Sequence, residues 1–282
     1  MSIVKSYMYY LIPSVFSALT FFLFLFPLMT RYITLDEFGI RALVHLVIIL
    51  FEMTCAYGAV WLLQAFFLNF KKDSERRSFL STLFLYGSSI RFLSFLLFYF
   101  YLPSFLSLFI PWSTEYDIFL HISLLARLIK SHEQLMIESW TMDSRSKIFF
   151  IYKMLVSLFA IVSTIYFLVI EKLGLLGLFY ADLLSSSIAL LFLPLYAKNY
   201  LSLQISLDHL KSILKVGYPA IPKSMIGKID KNITSYFLSI FTPIGVLGIL
   251  YFDHPTIKFI FGLYVFGCLL GWFMWGRHID KL

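Results

Sequence analysis

The sequence predicts an all-α, polytopic membrane helix bundle of about eight transmembrane helices, and three observations carry that reading. First, 60% of the 282 residues are hydrophobic and 20% aromatic, well above the roughly 45–50% apolar usage of soluble domains. Second, only 14% are charged, against roughly 25% for a water-solvated fold, and they fall in short clusters. Third, the apolar tracts between those clusters reach the roughly 20 residues that a helix needs to cross a bilayer. A water-soluble globule is excluded.

The spans are predicted at 8–29, 42–66, 79–102, 117–140, 149–170, 174–197, 213–241 and 256–276. The first follows a single Lys5, exceeds the core of a signal peptide and has no small-x-small cleavage site, so it is expected to remain as a helix. The fourth and seventh carry charges, yet counting them leaves short connections throughout. Pro103 and Pro111 bracket a loop that holds Trp112 at interface depth. Pro219 and Pro222 are expected to kink the seventh span, because each removes a backbone donor.

A formal charge of +7 raises nucleic acid as a partner, but no extramembrane segment is long enough to present a basic face, so none is expected. Alternating the spans from an inside N-terminus puts 13 of the 23 basic residues inside and only Arg31, Arg41, Lys172 and Lys258 outside. Lysine and arginine favour cytoplasmic loops, so both termini are expected in the cytoplasm. Cys55 and Cys268 lie in apolar tracts without metal-ligand spacing and read as small hydrophobes.

Enzymatic motifs fail. His132-Glu133 opens like HExxH, but the fifth position is Met136. There is no Walker loop, nucleophile elbow or GxGxxG, so neither an enzyme nor a cofactor is expected. Asn232-Ile-Thr234 fits a glycosylation sequon but lies within a span, and Gly267 with Gly271 marks a close helix contact in the eighth span.

The informative residues are the charges inside the spans: Arg91, Arg127, Lys130, Lys223, Lys228, Lys231, Glu52, Glu133, Glu138, Asp182 and Asp230. Each would cost about 2.5–3.5 kcal/mol facing lipid, so they are expected to face the bundle interior or a wet cavity. Arg127, Lys130, Gln134 and Glu138 share one arc of a continuous fourth helix, Lys223, Gly227, Asp230 and Thr234 one arc of the seventh, and His45 and Glu52 one face of the second. The reading is a polar cavity for an anionic or sugar-bearing substrate; internal ion pairs that only fix helix packing are the alternative.

Two stretches resemble a known family. Residues 22–40 (FLFLFPLMTRYITLDEFGI) place Pro27, Leu28, Thr30, Arg31, Tyr32, Glu37, Phe38 and Gly39 as in the first-loop signature of bacterial polysaccharide repeat-unit flippases. Residues 214–249 (LKVGYPAIPKSMIGKIDKNITSYFLSIFTPIGVLGI) resemble the opening of that family's second half, and 173–186 (LGLLGLFYADLLSS) its fifth and sixth helices. The resemblance covers roughly residues 1–250 and its motifs are structural.

The resemblance implies an O-antigen or capsule flippase of the multidrug/oligosaccharidyl-lipid/polysaccharide exporter superfamily, residues 1–200 forming a six-helix, MATE-like N-terminal lobe and 201–282 a partial second lobe of two helices. The implied substrate is an undecaprenyl-pyrophosphate-linked oligosaccharide, moved across the bacterial inner membrane among membrane lipids. Arg91, Arg127, Lys130, Lys223 and Lys231 are the expected substrate-binding cations, with Glu52, Glu138 and Asp230 as ion-coupling or counter-charged groups. Since the family carries about twelve to fourteen helices, the reading includes either a truncated, inactive exporter or a homo-oligomer joined through the seventh and eighth spans. From a different class, a membrane glycosyltransferase or polysaccharide polymerase is the alternative, ranked lower because the longest loop is about 15 residues.

Overall fold

The computed structural model describes residues 3–55, 62–63, 66–67, 70, 72–107, 112–202 and 204–217. The described residues are all helical with short connections and no strand, as the composition predicts. The helices are α1 (Ile3–Thr20), α2 (Phe26–Tyr32), α3 (Leu35–Thr54), α4 (Asp73–Leu106), α5 (Asp117–Ile129), α6 (Glu133–Met142), α7 (Ser146–Thr164), α8 (Gly174–Ser186), α9 (Ile188–Tyr200) and α10 (207–217).

Four helical stretches, Tyr7–Tyr32, Asp73–Leu106, Ser146–Ile170 and Gly174–Tyr200, are long and apolar enough to cross a membrane. They match the first, third, fifth and sixth predicted spans. Their outward faces carry large apolar side chains such as Leu93, Tyr101, Val162 and Leu191, the arrangement that a hydrocarbon solvent permits. The first five residues of the seventh predicted span, 213–217, belong to α10; the rest of that span and the eighth lie outside the described residues, together with Pro219, Pro222, Asn232, Gly267, Cys268 and Gly271.

The two remaining predicted spans are helical but differently bounded. The second begins at Leu35 rather than 42, because Thr34 and Glu37 form a reciprocal cap: the Glu37 N–H donates to Thr34 Oγ1 at 3.3 Å, and the Thr34 N–H to Glu37 Oε2 at 2.8 Å. The fourth is not one continuous helix. It breaks into α5, a 3-10 turn over Lys130–His132, and α6.

Two π-helical turns widen the bundle locally. Phe21–Leu25 joins α1 to α2, with the Phe26 N–H returning to the Phe21 carbonyl. Pro27 follows at once; its ring cannot donate and crowds the carbonyl four residues back, which the wider turn relieves. Ile165–Ile170 ends the α7 stretch, and Lys172 (φ 53°) and Gly174 (φ 56°) in left-handed conformation then turn the chain into α8. α8 approaches that turn so closely that a Cβ on Gly177 would meet the Phe167 carbonyl oxygen at 2.9 Å.

The Glu37 carboxylate ties these turns together. While Oε2 caps α3, Oε1 accepts the Leu175 N–H at 3.2 Å, so one side chain satisfies orphan donors at the starts of both α3 and α8. We expect Glu37→Ala to lower stability by about 2 kcal/mol, against about 1 kcal/mol for Thr34→Ala, which leaves the α8 cap intact. Thermal unfolding of the detergent-solubilised protein checks this, and equal losses would show that the second cap adds nothing.

At the opposite end, the start of α4, the 143–145 turn and the 202–209 segment meet. Arg76 Nη1 reaches Asp143 Oδ1 at 3.2 Å, the Ser202 N–H donates to Ser81 Oγ at 2.7 Å, and the Ser206 N–H to Thr82 Oγ1 at 3.2 Å. The largest apolar core lies just inside this end, around Phe79, Leu83, Trp140, Tyr152 and Tyr196. A second core lies toward the Glu37 end, around Val47, Phe51, Phe98, Leu120 and Leu175.

Candidate functional site

A cavity of about 230 Å³ opens among the Phe21–Leu25 turn, α2, α3, α5, α7 and α8. Its apolar wall includes Phe21, Leu25, Ile48 and Phe179, and its polar wall Arg41, His45, Arg127, Asp182, Ser123, Thr164 and Ser185. The first π turn supplies part of the rim, and the close α7–α8 packing through Gly177 positions Asp182 and Ser185 one to two turns further along.

Arg127 projects from the last turn of α5, and its Nη1 stands 3.6 Å from Glu52 Oε1 on α3. Its Nε is buried without a hydrogen-bond partner among the described residues. Arg41 donates from Nη1 to the thioether of Met29 at 2.9 Å, a weak acceptor that leaves the guanidinium charge uncompensated at that contact. His45 is open to the cavity and within electrostatic reach of Arg127, Arg41, Glu52 and Asp182. The Asp182 main-chain carbonyl accepts from Ser185 Oγ at 3.0 Å, whereas its carboxylate makes no hydrogen bond or ion pair with a described residue. The arrangement is a partly enclosed pocket lined by the Arg41 and Arg127 guanidiniums and by Asp182, with Arg127 paired to Glu52, which does not itself line it.

The structure brings two of the expected site residues together, Arg127 and Glu52. The others separate. The Arg91 guanidinium donates to the Ser131 carbonyl, where the helix break leaves backbone acceptors unpaired; a cation at the carboxyl end of α5 also suits the helix dipole. Lys130 pairs with Glu133 at 3.5 Å, and Lys153 reaches the same carboxylate at 2.8 Å. Glu138 is half-buried on α6 and does not line the cavity. Thus the expected common arc of Arg127, Lys130, Gln134 and Glu138 does not form. The 3-10 turn rotates everything after Ile129 out of the phase of α5, since three residues per turn replace 3.6. Lys223, Lys231 and Asp230 lie outside the described residues.

Sequence reasoning set His45 and Asp182 among the groups facing a polar interior without naming them as site residues, and it left Arg41 out. Asp182 had the signal, as an acid within an apolar tract; Arg41 was placed in a loop because the helix start at Thr34 was missed. A second cavity of about 430 Å³ lies between α4, the 3-10 turn and α9, with Phe92, Leu128, Met136 and Leu193 on its wall. Its polar edge is taken by His132, whose Nε2 lies 3.1 Å from Ser88 Oγ and whose ring stacks on Phe84 at 4.0 Å, so the HExx fragment is used for packing.

No protein-family model, curated protein or solved structure matches the chain.

Proposed function

We propose that this protein is a transporter that moves a lipid-linked oligosaccharide, carried on a polyprenyl pyrophosphate, across the bacterial inner membrane, with both termini in the cytoplasm. The supporting observation is the cavity holding Arg41 and Arg127 inside a bundle whose outer surface is apolar. Charge is kept in such a place only when it faces a polar interior or a pathway, and guanidinium is the side chain best shaped for bidentate phosphate contact.

The size of the cavity narrows the role. At about 230 Å³ it is smaller than the roughly 300–1,000 Å³ of sites that enclose a drug-sized ligand, and it suits a diphosphate rather than a glycan. In this reading Arg41 and Arg127 hold the diphosphate while Glu52 and Asp182 balance their charge in its absence. The glycan and the prenyl chain extend away from the pocket. The basic end of the bundle, with exposed Lys72, Arg77, Lys147 and Lys198, faces the cytoplasm by the positive-inside rule.

The test is a deletion strain. A transporter predicts lipid-linked repeat units accumulating on the inner leaflet, restored to the outer leaflet by the plasmid-borne gene. Normal translocation with shortened glycan chains would overturn the reading in favour of a polymerase.

A further inference from the structure

The described part of α10, 207–217, includes the first five residues of the seventh predicted span. Three sectors run along it. His209, Ile213 and Gly217 face the bundle: Ile213 is buried in the large apolar core, and the His209 ring packs against Phe70 and Phe79. Leu207 and Leu214, seven residues apart and so on one line, are 73% and 42% exposed. Asp208, Lys211 and Lys215 form the third sector and are also exposed.

Depth follows from α4. Its 34 residues make a helix roughly 50 Å long, whereas the hydrocarbon layer is roughly 30 Å thick, and Asp73, Glu75, Arg76 and Arg77 open it while its last turns carry no charge, so its first turns are the end that stands in the headgroup region. Those turns are the ones that hold the 202–209 segment, through Ser78, Ser81 and Thr82. The exposed leucines of α10 therefore meet the boundary between headgroups and acyl chains, and its lysines meet the headgroups.

Charge complementarity names the occupant. Among the described residues, this end of the bundle carries Lys72, Arg76, Arg77, Arg145, Lys147, Lys198, Lys211 and Lys215 against Asp73, Glu75, Asp143 and Asp208. Arg76 and Arg145 are engaged with Asp143, and the Lys211–Asp208 pair is solvated and loose at 3.8 Å. A net positive edge beside exposed leucines fits a leaflet of anionic phospholipid.

We infer that α10 is an interfacial lipid-binding helix, with Leu207 and Leu214 inserted at the acyl boundary and Lys211 and Lys215 contacting the phosphates of anionic phospholipids. This rests on the membrane placement of the bundle and not on the identity of the transported molecule.

The test uses the full chain in vesicles, with Cys55→Ala and Cys268→Ala and an environment-sensitive label at Leu207→Cys or, separately, Leu214→Cys. Lipid carrying a spin label high on the acyl chain quenches the probe on contact; aqueous iodide quenches it only in water. We expect both positions to be quenched by spin-labelled phosphatidylglycerol several-fold more than by spin-labelled phosphatidylcholine. Because each lysine near an anionic surface is worth about a fivefold preference, Lys211→Gln with Lys215→Gln should bring that ratio close to one. Efficient iodide quenching with little lipid quenching at both positions would overturn the inference. So would a ratio that the lysine substitutions leave unchanged.

Discussion

Glu133→Ala is expected to lower the stability of the solubilised protein by about 3 kcal/mol. The Glu133 carboxylate is buried, it holds Lys153 Nζ at 2.8 Å and Lys130 Nζ at 3.5 Å, and it sits in the first turn of α6, where negative charge is favoured. Breaking a buried pair by removing one partner costs about 3–5 kcal/mol, since the remaining charge stays uncompensated. The lower end applies here because the Lys130 and Lys153 side chains are 26% and 33% exposed and can recover part of their hydration. At about 2–4 °C per kcal/mol, the melting midpoint should fall by roughly 10 °C. Glu133→Gln keeps the shape and one acceptor, so it should fall between. A midpoint within about 2 °C of the parent would show that the triad contributes little.

The second large effect concerns transport. Arg41→Gln and Arg127→Gln should each slow translocation by roughly 10- to 150-fold, the factor that corresponds to about 1.5–3 kcal/mol for a hydrogen bond to a charged group. Arg127→Lys keeps the charge but loses the fork that can span two phosphate oxygens, and it should retain intermediate activity. Arg91→Gln, by contrast, acts at the Ser131 carbonyl outside the cavity and should change stability more than rate. The measurement is outer-leaflet glycan in a complemented deletion strain at matched membrane abundance. Undiminished transport by the Arg41→Gln, Arg127→Gln double variant would detach the cavity from the function.

The residues of the 22–40 motif acquire physical roles in the fold, and these concern architecture. Pro27 accompanies the π turn that rims the cavity, Glu37 caps two helices, and Phe38 is buried against Met29, Leu168 and Leu178. Within 173–186, Gly177 permits the close approach of α8 to the second π turn, and Asp182 enters the cavity. A pattern that read as structural in the sequence is structural here, and it is also what positions the polar groups.

Four of the eight predicted spans were legible in the sequence, because a bilayer leaves a chain few choices: a run of about 20 apolar residues must satisfy its backbone internally, and composition over one window reveals it. The concentration of basic residues toward one end is similarly local, but Pro103, expected to open a loop, lies inside α4, which runs on to Leu106, and Pro111 lies outside the described residues. Which charges meet was decided only by tertiary structure. Glu133 and Lys153 lie 20 positions apart, Arg76 and Asp143 67, and Glu37 and Leu175 138. The three residues Lys130–His132 offer no composition signal for a 3-10 turn, yet that turn sets the phase of every side chain after it. Amphipathic reasoning assumes an unbroken 3.6-residue period, so one tightened turn was enough to scatter the predicted arc. Arg41, His45, Arg127 and Asp182 reach one cavity because three separate helices pack at a common depth, and helix periodicity holds no information about depth or neighbours.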